Sequence, residues 1–73
     1  MIAALFAKEG RYAELERFEY CSNGEEGDTQ CDEYWSVTVI PNDNPDNFKE
    51  FTFMSNYLAT LFLIENGYKE VVE

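Results

Sequence analysis

Tyr34-Trp35-Ser36-Val37-Thr38-Val39-Ile40 is the stretch whose reading decides the fold. Trp35, Val37 and Val39 alternate with Tyr34, Ser36, Thr38 and Ile40, the period-two pattern of a strand with one buried face and a mixed outer one. Pro41-Asn42-Asp43-Asn44-Pro45-Asp46-Asn47 ends it with turn chemistry at nearly every position. A further strand is expected over residues 48–54, with Phe51 and Phe53 facing the same side as Trp35. Upstream, residues 22–30 form a polar loop with two glycines and no apolar anchor, which places it in solvent.

The N-terminal third supports two readings. Ala7-Lys8-Glu9-Gly10-Arg11 has turn chemistry, with Gly10 at the left-handed position of a three-residue hairpin loop, so residues 2–7 and 11–21 read as paired strands. The competing reading is helical, because Ala, Leu, Glu, Lys and Arg dominate residues 3–19. In the strand reading Ala13 and Leu15 share one face and Phe18 and Tyr20 have the opposite parity. A bulge near Glu16 and Arg17 is then expected to re-aim those aromatics toward the core.

Residues 56–66 read as a helix, capped by Ser55 and stopped by Gly67. Two apolar stripes compete for its buried face: Leu58, Leu61, Phe62 and Glu65, or Tyr57, Leu61, Ile64 and Tyr68. The tail from Tyr68 is a short edge strand or a frayed end. Together these elements predict one α+β domain over residues 1–73, a four-stranded antiparallel β-meander with one C-terminal α-helix packed on one face.

Composition narrows the function. The 73 residues carry 15 acidic side chains against 5 basic ones and no histidine, a net charge of −10, yet 45% are hydrophobic and 16% aromatic. Disordered acidic chains lack such aromatic content, so this chain is expected to fold. Direct nucleic-acid binding is not expected with so few Lys and Arg against fifteen acidic residues, and an acidic protein has no electrostatic attraction to an anionic membrane. The absence of histidine, of a glycine-rich phosphate loop and of a nucleophile elbow speaks against catalysis. No catalytic residue, cofactor or metal site is therefore assigned. Asn42, Asn44 and Asp46 have the alternation of a calcium loop but lack its glycine and terminal bidentate Glu.

The seven apolar residues at the N-terminus are too few for a secretory core and no positive charge precedes them, and no apolar run approaches the length that spans a bilayer. A cytoplasmic location is expected. Cys21 and Cys31 could staple the loop between them, but a disulfide needs an oxidising compartment, so the expectation is two reduced thiols.

Acidity is concentrated rather than sprinkled. Between positions 14 and 33 lie Glu14, Glu16, Glu19, Glu25, Glu26, Asp28, Asp32 and Glu33, opposed by Arg17 alone, a net of −7. In a strand Glu14 and Glu16 point to one side about 6.7 Å apart, a spacing comparable with successive phosphates. Such a surface attracts a cleft lined with Lys and Arg at long range. Tyr12, Tyr20 and Tyr34 are expected to add aromatic contacts at the rim.

In its short length, net acidity, carboxylate series and aromatic-rich sheet-plus-helix pattern, the chain resembles the small acidic inhibitors encoded by bacteriophages, among them DNA-mimicking anti-restriction, anti-CRISPR and uracil-DNA glycosylase inhibitor proteins. The resemblance is one of composition, without an alignable motif. It implies a non-enzymatic protein that occupies the basic surface of a nucleic-acid-handling enzyme of host defence or repair. The rival expectation is a structural or regulatory module that homodimerises through the helix around Leu61, Phe62 and Leu63. Reversing Glu25, Glu26 and Asp28 to Lys should slow association with a basic partner and flatten its salt dependence; unchanged association rates would remove the loop from the interface.

Overall fold

The computed structural model describes residues 2–24 and 27–72. β1 (Ile2–Lys8) and β2 (Arg11–Asn23) form a hairpin, followed by β3 (Thr29–Pro41), β4 (Lys49–Phe53), the helix α1 (Asn56–Glu65) and β5 (Lys69–Glu70). The turn chemistry at Gly10 therefore prevails over helix propensity, because a strand beside β3 gains a sheet ladder and burial that local propensity cannot match. The loop is tighter than expected: Lys8 pairs with Arg11, which leaves two residues in the turn, with Gly10 at φ 83°.

Among the described residues the fold is α+β, with one helix and one antiparallel sheet of five strands in the order β4-β3-β2-β1-β5. The expected four-strand meander is thus extended by one strand. Lys69 and Glu70 pair with Ala7 and Phe6, so the tail closes onto the N-terminal strand. The Val71 N–H donates to the Leu5 carbonyl, 2.7 Å away, beside this pairing.

β2 and β3 pair without interruption from Arg11↔Pro41 to Asn23↔Thr29. There is no bulge at Glu16 and Arg17. The irregularity lies on β1, where the register shifts between Ile2 and Ala4 against Glu16 and Leu15. Phe18 and Tyr20 keep the parity opposite to the core and stay exposed.

Side chains alternate across the sheet and cross-strand partners share a face. The core cluster follows one parity: Phe6, Ala13, Leu15 and Val37 are buried with Ala59 and Leu63 of the helix and with Tyr68. Trp35 pairs with Phe53 and Val37 with Phe51, so Phe51, Phe53 and Trp35 share a side as the alternation predicts. The Phe62 ring centroid lies 4.9 Å from Phe51 and 5.3 Å from Phe53.

The helix starts where expected. Ser55 is extended and its Oγ accepts from the Leu58 N–H at 3.2 Å, while Gly67 at φ 85° ends it and lets the Tyr68 N–H reach the Leu63 carbonyl. The Lys8 ammonium donates to the Asn66 carbonyl at 2.9 Å, a cation at the negative end of the helix dipole. Its orientation corrects both apolar stripes read from the sequence. Ala59 and Leu63 are the buried positions, whereas Tyr57, Leu58, Leu61 and Ile64 are exposed. A methyl group at Ala59 allows the helix to approach closely beside Leu63, and Tyr57, Leu58, Leu61 and Ile64 are turned outward. Replacing Leu63 by Ala should lower stability by about 2–5 kcal/mol, and Leu58→Ala by well under half of that, as read from urea denaturation; equal losses would mean that the helix presents another face.

Candidate interaction site on the open sheet face

Ala59 and Leu63 of the helix cluster with Phe6, Ala13, Leu15 and Val37, which share one sheet parity, here called the helix side, and charge divides between the two parities. Along β2 and β3, Glu14, Glu16 and Asp32 have the parity opposite to the core, and so lie on the open side. Glu50 joins them, because Thr38 pairs with both Glu14 and Glu50, which puts these two carboxylates on one row across three strands. Their strands are about 9.6 Å apart, two inter-strand spacings. Tyr12, between Ala7 and Ile40, and Phe18, Tyr20 and Tyr34 also face the open side.

The basic residues take the other parity. Arg11 and Arg17 fall in step with Ala13 and Leu15, Lys49 pairs with Val39, and Lys8 reaches over the Tyr68 ring at 4.9 Å from its centroid. Among the described residues only Lys69, at the β5 edge opposite Ala7, stands on the open side. Neutral and acidic side chains therefore make up the open face from β4 to β2.

The expected acidic stripe is consequently split. Glu19 and Glu33 pair with each other in register but on the helix side, where they hold Arg17 at 3.0 and 2.6 Å. The Arg17 guanidinium is raised above its ordinary pKa by its hydrogen bond to Glu33 first and to Glu19 second. These two carboxylates are spoken for by an intramolecular cation. Asp28 stands in the loop, and its backbone carbonyl accepts a hydrogen bond from the Gly24 N–H. Glu25 and Glu26 lie outside the described residues.

The strand pair β2–β3 runs on past the end of the helix as a two-stranded ribbon, which accounts for the elongated 51 × 24 × 22 Å shape. On its open side Phe18 stacks on its partner Tyr34 with centroids 5.1 Å apart and planes 13° from parallel, and Tyr20 leans on Tyr34 at 6.1 Å. Phe18 and Glu50 were missed by sequence reading. The parity of Glu50 was legible in Lys49-Glu50-Phe51-Thr52-Phe53, but its alignment with Glu14 depends on a register that a single sequence does not display.

Cys21 and Cys31 are register partners with Cα atoms 4.0 Å apart, joined by a disulfide. The expectation of reduced thiols is overturned by this pairing: two cysteines directly opposite on adjacent strands are already within bonding reach. The expectation of reduced thiols drew on the cytoplasmic one, to which the disulfide lends no support. Among the described residues no helix is long and apolar enough to cross a membrane. The Glu19 carboxylate lies within 4.8 Å of both sulfurs, yet a disulfide offers no thiolate, the form that ligates metal.

The predicted dimer contacts also separate. Leu63 is fully buried and Phe62 packs against β4, which leaves Leu61 as the one of the three that is exposed. Comparison with protein-family models, with curated proteins and with solved structures finds no match to this chain.

An isolated two-stranded ribbon is marginal in water, so the disulfide is what holds the outer rows together. Reducing it should cost about 2–3 kcal/mol by loop-closure entropy, and locally. Amide hydrogen exchange should speed up over residues 18–23 and 29–34 while Ala13, Leu15 and Val37 stay protected; uniform loss of protection would show that the ribbon and the core open as one unit.

Proposed function

We propose that this chain is a non-enzymatic acidic binding protein, of the kind phages deploy as inhibitors, which blocks a nucleic-acid-handling protein by occupying its basic surface. The observation that carries this reading is the segregation of charge by sheet face. Glu14, Glu16, Asp32 and Glu50 project from the side that the helix leaves bare, and four of the five basic residues turn to the other side.

A single-sign face raises association rates with an oppositely charged partner and discriminates against other surfaces. The Phe18, Tyr20 and Tyr34 rings lie among these carboxylates, and exposed aromatics of this type supply contact area at little entropic cost. Arginine on a partner would find both carboxylates and ring faces here, the two groups that a guanidinium engages. The missing histidine and the absence of a phosphate loop favour a binding role over a catalytic one.

Immobilised protein should retain, from nuclease-treated host lysate, a nucleic-acid-handling protein that duplex DNA and salt both displace. The variant with Glu14→Gln, Asp32→Lys and Glu50→Lys should retain it at least about tenfold less, through slower association. Retention indifferent to duplex DNA, or to these substitutions, would sink the reading.

A further inference from the structure

The surface of α1 does not match its position. Ala59, Phe62 and Leu63 point inward, yet Tyr57, Leu58, Leu61 and Ile64 point outward, so the helix carries large apolar side chains on its outer as well as its inner side, with Asn56, Thr60 and Glu65 as its polar residues. Such helices ordinarily lie in an interior. Tyr57, Leu61 and Ile64 recur at i, i+4 and i+7 and form one stripe, which Met54 prolongs beyond the N-terminus; Tyr57 and Ile64 are 64% and 59% exposed and Met54 72%. In a chain with 15 acidic residues among 73, none of the fourteen residues from 51 to 64 is charged. The stripe and Leu58 offer on the order of 500 Å² of apolar surface, toward the upper end of what monomers leave exposed.

Beside this ridge lies a groove. A cleft of about 530 Å³ opens between the helix, β1 and β5, lined by Ala3, Ala4, Thr60 and Ile64 and also by the oppositely charged pair Lys69 and Glu70. The small side chains of Ala3 and Ala4 keep it wide, and Ile64 belongs to ridge and groove alike.

We infer that the outer face of α1 and this cleft form an interface with a second copy of the same chain. Ridge and groove are neighbours on one side, so a two-fold axis sets the ridge of each copy into the groove of the other, the self-complementary arrangement of an isologous dimer. The charge pattern favours this occupant. A basic partner finds no carboxylate on the stripe, and a polyanion or anionic bilayer is repelled by the net −10. The helix runs from beside Phe53 back to Lys8, away from the ribbon. Antiparallel pairing of two such helices therefore sends the acidic ribbons to opposite ends, where their repulsion is weakest. Two copies would bury on the order of 1,000 Å² in all, where specific interfaces begin, so the dimer is weak and reversible. It uses the helix side and is independent of the open-face reading.

Sedimentation equilibrium of the intact protein from about 10 μM to 1 mM, a range that brackets weak association, should show dimer growing with concentration. Added salt should strengthen it by screening repulsion, the opposite sign to binding of a basic partner. Tyr57→Glu with Ile64→Glu should weaken the dimer at least about tenfold, with unchanged circular dichroism and urea midpoint because both side chains are exposed in the monomer. Ala3→Glu, which places a charge in the groove, should weaken it as well. A monomer at every concentration, or a dimer indifferent to either change, overturns the proposal.

Discussion

The unbroken pairing of β2 with β3 is the constraint on which the rest of this molecule depends. Because side chains alternate with a period of two, one continuous register assigns every residue of both strands to a side. Ala13, Leu15 and Val37 then meet the helix, Glu14, Glu16 and Asp32 cannot, and Cys21 is brought opposite Cys31. A slip of one residue would exchange carboxylates for core side chains along the whole strand. The buried cluster is small, built round Phe6, Leu15, Val37 and Leu63, and a small core tolerates no such exchange. Fold and charge pattern are thus two outcomes of the same hydrogen-bond ladder.

Much of this was legible in the residues. Period-two alternation marked β3, turn chemistry marked Gly10 and the break after Ile40, and Ser55 and Gly67 bounded the helix. Each of these signals is local: a side-chain period, a left-handed backbone position or a cap acts within a few residues. What escaped was pairwise. Which helix stripe is buried depends on how close the helix can come to the sheet, and Ala59 settles that through the absence of bulk, a feature that hydrophobicity does not score. The division of the acidic series between two faces depends on uninterrupted strand parity, and an expected bulge would have reversed it for everything beyond Glu16. The fifth strand was one of two readings of the tail, and the choice between them is also pairwise, since two charged residues become a strand only where β1 offers an unpaired edge.

The two surfaces left uncovered differ in kind. The open sheet face is mixed, with carboxylates among aromatic rings, and its field acts over roughly a Debye length, about 8 Å at physiological salt. The outer helix face from Tyr57 to Ile64 is uncharged and acts only on contact. Arg17, held by Glu19 and Glu33, offsets part of the acidity on the helix side of the ribbon. Sequence-wide acidity therefore understates the contrast: one chain presents a long-range anionic surface and a short-range apolar one, back to back across a single sheet.

The pairing of β5 with β1 has a kinetic consequence. Lys69 and Glu70 meet Ala7 and Phe6 from the opposite end of the chain, whereas β1 and β2 close over two residues. Closing a long loop is entropically costlier than closing a tight turn, and non-local pairing is correspondingly slow. The hairpins can therefore form early, while β5 docks only after the helix has brought Tyr68 into the core. Until then the edge of β1, with its apolar Ile2, Ala4 and Phe6, is open to pairing with other chains, the exposure that makes slow β topologies prone to aggregate. The two-residue strand closes that interval: it ends the period in which the nascent sheet can recruit the wrong neighbour.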